Sequence, residues 1–163
     1  MFLASGLAAA SAVWLAAIAA ASGGLAGAWL GDATRTFASF VCHQNPDRSF
    51  FWDGAPIVVC ARCLGLYVAA PLGALAARVA GVRPGVASPR GNVTLLALAA
   101  APSLLTWLAE RLADVPVTNL ARFIAALPFG AAVAWVLVRT AIDARSSGIS
   151  QYTLRDARRG ETR

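Results

Sequence analysis

The sequence predicts an all-α integral membrane protein, a bundle of four transmembrane helices. Three observations carry that expectation. Of the 163 residues, 58% are hydrophobic and only 13% charged, where a soluble domain carries about 25% charged residues. The mean hydropathy is +0.64. The apolar residues also come in long runs: Phe2–Leu30 has no ionisable side chain over 29 residues, and Gly91–Ala109 has none over 19. A bilayer core of about 30 Å is crossed by about 20 helical residues, so both runs qualify as spans. A soluble enzyme, a disordered chain and a nucleic-acid-binding domain are excluded by the same arithmetic. The net charge of +6 and pI near 10.6 do not reopen nucleic acid as a partner. All 14 basic residues are Arg, placed in the tail and between or at the ends of apolar runs, a pattern of membrane topology and headgroup contact.

The first span is expected at about 2–30, closed by Gly31-Asp32. Its start lacks the basic residues of a secretory leader, and its apolar run exceeds a leader's 7–15 residues, so it reads as an uncleaved helix. The second is expected at about 57–82, after Pro56, with Arg62 in its first turns and Arg78 in its last, where long side chains snorkel toward headgroups. Gly81-Val82-Arg83-Pro84-Gly85 and Ser88-Pro89 form a breaker-rich loop. The third span is about 91–109. The fourth is about 120–142, its core Phe123–Val138 lying between Arg122 and Arg139. Residues 143–163 read as a polar, basic C-terminal tail that frays or forms a short surface helix.

Four spans put both termini on one side. That side, with the loop 78–90, holds Arg78, Arg83, Arg90, Arg139, Arg145, Arg155, Arg158, Arg159 and Arg163. The other side holds Arg35, Arg48, Arg62, Arg111 and Arg122. Positive charge favours the cytoplasm, so both termini are expected there and the loops 31–56 and 110–119 outside. Trp29, Trp52 and Trp107 fall near the expected interfaces, as an aromatic belt does.

Small residues recur every four positions at Gly65, Ala69, Gly73 and Ala77, at Gly23, Gly27 and Gly31, and at Ala126, Gly130 and Ala134. Such stripes let helix backbones approach closely, either within one bundle or between chains in a homo- or hetero-oligomer.

All three cysteines and the only histidine fall within the 22 residues from Cys42 to Cys63. Cys60-x-x-Cys63 has the spacing to hold one thiophilic ion, zinc or another transition metal, and Cys42 and His43 complete a Cys₃His set. Neighbouring residues in extended chain point to opposite sides, so Cys42 and His43 need a turn to share an ion; Asp47 or Asp53 is the substitute. The same thiols also suit redox chemistry if the second helix begins near Cys60, because a helix N-terminus and Arg62 favour a thiolate. Membrane thiol–disulfide oxidoreductases need a second cysteine pair, however, and only Cys42 is left. A plain Cys42 disulfide to Cys60 or Cys63 is the third possibility, and covalent haem is disfavoured because Leu64, not His, follows the pair. A softer constellation joins Arg48, Arg62, Asn119 and Arg122 near the same expected face. With His43 these bind an anion such as a lipid phosphate, or the Arg residues simply snorkel or pair with Asp47, Asp53, Glu110 and Asp114.

The stretch Cys42-His43-Gln44-x-Pro46-x-Arg48-Ser49-Phe50, followed by Cys60-Ala61-Arg62-Cys63-x-Gly65-x-Tyr67, resembles the small prokaryotic membrane proteins of the family called domain of unknown function 2085. Pro102, Asn119, Arg122 and Gly130 match that family's second signature. The resemblance covers about residues 37–135. It departs at Thr106, where family members often carry Asp in the middle of the third span. It implies a multi-pass protein of a prokaryotic inner (cell) membrane with one patch built from both signatures, and no particular activity. The reading that results is a membrane protein with an outward-facing Cys/His metal site. A thiol–disulfide oxidoreductase and a packing subunit of a larger membrane complex are the alternatives.

Overall fold

The computed structural model describes residues 2–24, 27–80 and 88–160. Arg83, Arg163 and the expected loop at Gly81–Gly85 lie outside them. Five helices occur in the order α1 (Phe2–Ser22), α2 (Ala28–Ser39), α3 (Ala61–Val79), α4 (Pro89–Leu112) and α5 (Asn119–Gly160), with a 3-10 turn at Pro46–Arg48 and two short strands, β1 (Phe51–Trp52) and β2 (Ala55–Pro56), between α2 and α3. Four helices are long and apolar enough to cross a membrane: Ala4–Ser22, Ala61–Val79, Pro89–Leu112 and Asn119–Ser146. The chain is a multi-pass, all-α membrane protein.

The first span differs from expectation. The apolar run 2–30 is not one helix, because Gly23 and Gly24 interrupt it and Gly24 adopts φ +68°, a left-handed conformation that glycine enters without steric cost. Ala28, Trp29 and Leu30 join Asp32, Thr34 and Arg35 in α2, a 12-residue amphipathic helix. Its Trp29 and Phe37, with Phe40 just beyond its end, are exposed, while Thr34 and Ala38 are buried against the bundle. The Gly23/Gly27/Gly31 series is therefore a helix break followed by a second helix, and an added Cβ at Gly31 would meet nothing within 4 Å.

The other two stripes face each other. The carbonyl oxygen of Phe123 fills the space where Gly65 would carry a Cβ, the Ala131 backbone does so at Gly73, and the Leu66 backbone does so at Gly130. Ala69, Ala77, Ala126 and Ala134 are buried in the same seam. The small residues thus serve close packing of α3 on α5 within one chain. α1 packs on α3, running antiparallel to it: Arg78 Nη1 donates to Ser5 Oγ at 2.9 Å at one end, and the Val58 N–H donates to Ser22 Oγ at 3.2 Å at the other. α4 packs on α5, where Ser103 Oγ donates to the Ala125 carbonyl at 2.9 Å. Its Leu98, Leu104 and Leu105 are exposed, as the lipid face of a spanning helix requires.

Helix bounds shift in two further places. α3 begins at Ala61 rather than 57, because the chain bends at Val58 and Val59, which are buried in an apolar cluster with Ile18, Ala38 and Cys42, and Cys60 is extended as the N-cap. α5 does not end near 142; it continues through the polar segment as one 42-residue helix, about 63 Å long at 1.5 Å per residue. The start of α1 and the last turns of α5 lie away from the end where α1 and α4 finish and α3 and α5 start. That second end carries every cysteine.

A candidate metal centre beside an arginine cluster

The segment between α2 and α3 is short of regular structure but strongly determined. Gln44 takes φ +50° and its side-chain amide donates to the Arg35 carbonyl at 2.8 Å, which turns the chain away from α2. Asn45 Oδ1 accepts the Asp47 N–H at 2.9 Å, Pro46 opens the 3-10 turn, and buried Ser49 donates through Oγ to the Asn45 carbonyl at 2.9 Å. The chain then makes a hairpin in which Phe51 pairs Pro56 and Trp52 pairs Ala55. Its two turn residues, Asp53 and Gly54, have φ +48° and +78°, the backbone that the favoured two-residue hairpin turns demand and that Asp-Gly supplies. The hairpin returns the chain to α3 directly beneath the turn that carries Cys42.

Three sulfurs meet there. Cys42, Cys60 and Cys63 have their Sγ atoms within 4.8 Å of one another, and all three are free thiols. A tetrahedral ion with bonds of about 2.3 Å holds its sulfurs about 3.8 Å apart, so the cluster needs only a small contraction to hold one. Cys42 is buried; Cys60, the N-cap of α3, and Cys63, in its first turn, are half-buried. The Cys60 N–H donates to Cys42 Sγ at 3.2 Å and the Gln44 N–H at 3.4 Å. The Cys42 thiol is held well below the usual thiol range, first by the Cys60 and Cys63 side chains and then, against the opposing effect of burial, by these two backbone donors. Hydrogen bonds to the ionised form favour it, and a thiolate is the form that binds metal.

His43 does not join the sulfurs. It is exposed, outside the group of mutually close ligand atoms, although it lines the same cavity. The adjacency noted above is the reason: the turn that buries Cys42 in the apolar cluster leaves its neighbour His43 at the solvent-exposed side of the cavity. Asp47, in the 3-10 turn, and Asp53, in the hairpin turn, are likewise exposed and outside the group. Among the described residues, the group close enough to hold an ion is Cys42, Cys60 and Cys63.

The predicted arginines converge on Glu110, one of the several acids with which the sequence could pair them. Glu110, near the end of α4, has a buried side chain. Its Oε1 accepts from Arg122 Nε at 2.7 Å and from an Arg62 terminal nitrogen at 3.3 Å, and Oε2 lies 3.9 Å from an Arg48 nitrogen. Arg122 Nη1 also donates to Asn119 Oδ1 at 2.6 Å, and Asn119 Nδ2 donates to the Ser49 carbonyl at 2.8 Å. Asn119 and Arg122, one turn apart, thus fasten the loop of Cys42 to the start of α5. Arg62 reaches Thr106 Oγ1 at 3.3 Å, so the hydroxyl at the position of departure from the family pattern still faces an arginine. Phe50 packs edge-on against Phe123, their centroids 5.9 Å apart.

The thiols and the arginines share one cavity of about 420 Å³, lined by Cys42, Cys60, Cys63, His43, Arg48, Arg62 and Arg122, and also by Val41, Asn45, Trp107 and Arg111. Trp107 and Arg111 carried no functional signal in the sequence. Trp107 follows from the α4 periodicity once Glu110 is recognised as facing the bundle, being three positions from it, and Arg111 follows in turn as four from Trp107.

Comparison with known proteins agrees with this grouping. Residues 42–136 match the family model described as predicted membrane protein (DUF2085), a span that starts at Cys42 and takes in both constellations. A stretch of 35 residues is 51% identical to the uncharacterized protein MJ1492 of Methanocaldococcus jannaschii, covering 22% of each chain. The similarity thus extends over less than a quarter of that relative's length. No solved structure matches the chain.

Proposed function

The chain belongs to the family of predicted membrane proteins DUF2085, and from that membership and the three gathered thiols we propose that it is a multi-pass membrane protein whose Cys42, Cys60 and Cys63 bind one zinc or other thiophilic metal ion. The observation that carries this reading is the approach of three sulfurs, contributed by a turn and by the first turn of a helix, to within 4.8 Å of one another. Soft thiolates select zinc and related ions. Three protein ligands with a cavity beside them match a centre that keeps one position open, the arrangement of reactive rather than purely structural zinc sites. The uneven distribution of Arg supports an orientation with both termini cytoplasmic and the centre on the outer face of a prokaryotic inner membrane. The bilayer is then the principal partner. Association with further chains would use surface such as the exposed face of α4, since the α3 and α5 stripes are covered within the chain.

Elemental analysis of detergent-purified protein beside a Cys60→Ser/Cys63→Ser double variant tests the proposal. About one transition-metal ion per chain, lost in the variant and kept in His43→Ala, is the expected result. Metal-free protein from a chelator-free preparation refutes it. A redox reading is favoured by one observation, the placement of Cys60 and Cys63 at the N-terminus of α3, where thiolates are stabilised. It predicts that a maleimide reaches these residues only after reduction; equal labelling with and without reductant removes it.

A further inference from the structure

The cavity beside the thiols holds more positive charge than the fold neutralises. Arg48, Arg62, Arg111 and Arg122 line it, and among the described residues the one carboxylate paired with this cluster is Glu110. The four guanidiniums that line the cavity thus have a single carboxylate among them within ion-pair distance, shared by three of them. The donors are not used up. Arg48 only approaches Glu110, at 3.9 Å with its side chain 35% exposed. Arg111 is exposed and forms no ion pair among the described residues. Arg62 Nε is buried without a hydrogen-bond partner. Like charges are not gathered in a partly desolvated cavity without a counter-charge, because their repulsion there is screened far less than in water.

We infer that the cavity takes a phosphate-type oxyanion, which occupies the open fourth position of the metal. This rests on the reading that Cys42, Cys60 and Cys63 hold that metal. A divalent ion on three thiolates carries one net negative charge, so the metal core alone repels an anion; the arginines reverse that balance. The guanidiniums come from four separate segments: the 42–50 loop, α3, α4 and α5. Converging donors of that kind suit an anion with oxygens distributed in space. A planar carboxylate is matched by a single bidentate arginine, and Glu110 is already held by Arg122 and Arg62. The volume of about 420 Å³ lies within the range of small-ligand sites, large enough for a phosphate and part of the group that bears it. Binding is a ligand exchange: the oxyanion forms a metal–oxygen bond and displaces the water that completes the coordination.

The test uses the full chain in a sugar-based detergent, loaded with Co²⁺ so that the visible absorption reports the fourth ligand. It is titrated with inorganic phosphate and, separately, with phosphatidylglycerol. The expected result is a saturable shift of the cobalt bands, with binding about tenfold weaker in Arg48→Gln and in Arg111→Gln, the loss anticipated for one charge-assisted contact. Cobalt content stays at one per chain in both variants. A shift with phosphate alone assigns a soluble anion. A shift with phosphatidylglycerol and none with phosphate assigns a lipid headgroup. Cobalt-loaded protein that responds to neither overturns the inference and leaves the metal site standing. Failure to load cobalt overturns both.

Discussion

Replacing Glu110 with Gln removes the one carboxylate that three arginines share. The cost follows from how far each pair is removed from solvent. The Glu110 side chain is 7% exposed, Arg122 is 13% exposed with its Nε at 2.7 Å, and Arg62 is 19% exposed at 3.3 Å. These two pairs are largely desolvated. Arg48, at 3.9 Å and 35% exposed, contributes little once solvent screening is allowed for. Removing one partner of a buried ion pair costs about 3–5 kcal/mol, because the remaining charge is left buried and unpaired. The Gln amide oxygen preserves one acceptor for Arg122, which places the expected loss near the lower end, at about 3 kcal/mol, or about two decades in the unfolding equilibrium. Unfolding of wild-type, Glu110→Gln, Arg122→Gln and double-variant protein in mixed micelles, followed by circular dichroism, measures it. The cycle is expected to show a coupling of about 1–3 kcal/mol between the two positions. A Glu110→Gln protein within about 0.5 kcal/mol of wild type, or a double variant that is simply additive, would show that the carboxylate does not organise the cluster.

The glycine seam predicts a contrast. Gly73→Ala places a Cβ against the Ala131 backbone and is expected to cost about 1–3 kcal/mol as an overpacked contact. Gly31→Ala meets open space and is expected to be neutral or slightly stabilising, since Ala is the better helix former; equal losses in thermal melts refute the seam. Metal retention is expected to fall on acidification, because protons compete for the thiolates. The Cys42 pKa is lowered in the folded chain, so its thiolate is present above that lowered value and is lost only as pH falls through it. Loss of the cobalt charge-transfer bands on acidification is therefore expected, and a metal content that acidification leaves unchanged contradicts it. Reporter fusions after Arg90 and Arg163 are expected to read cytoplasmic, and those placed in 31–56 or 110–119 external; the reverse pattern puts the thiols in a reducing compartment.

Different parts of the chain were legible to different degrees, for physical reasons. Hydropathy summed over some twenty residues finds spans well, and α4 lies within a few residues of its expected bounds at each end. The same averaging cannot see a break made of Gly23-Gly24 inside an apolar run, so the expected span covers α1 and only the first residues of α2, and the rest of α2 falls in the expected loop 31–56. The alternation of Trp29, Ala33 and Phe37 with Asp32 and Arg35 was the available signal for α2. Asp53-Gly54 between apolar pairs was a readable hairpin. Polarity from Asp143 onward suggested an end to the last helix, yet polar side chains do not break a helix, and α5 runs through them. The thiols were found because spacing fixes which groups can share an ion. The role of Glu110 is hidden for the opposite reason: it closes an apolar run, and in sequence a terminal acid at a span's end looks the same whether it meets water or three arginines.

The two signatures are one object mechanically as well as in sequence. Cys42 reaches Cys60 and Cys63 only because the residues between them turn back on themselves, and that path is not held by its own short strands alone. It is held from α5, where Asn119 takes the Ser49 carbonyl and passes its own oxygen to Arg122. Arg122 in turn grips Glu110 on α4, and Glu110 takes Arg62 from the same helical turn as Cys63. The chain of contacts therefore closes a ring from the thiols, through the loop, α5 and α4, back to the thiols. A ring of this kind gives a distant residue a defined effect on the centre. Asn119→Ala leaves every sulfur in place but frees the loop, so the metal is expected to be bound with full stoichiometry and weaker affinity, by about tenfold if one hydrogen bond of about 1 kcal/mol and some loop ordering are lost. Competition with a chromophoric chelator reads that difference directly. Unchanged affinity in Asn119→Ala would mean that the loop holds Cys42 by itself and that the second signature serves the arginines alone.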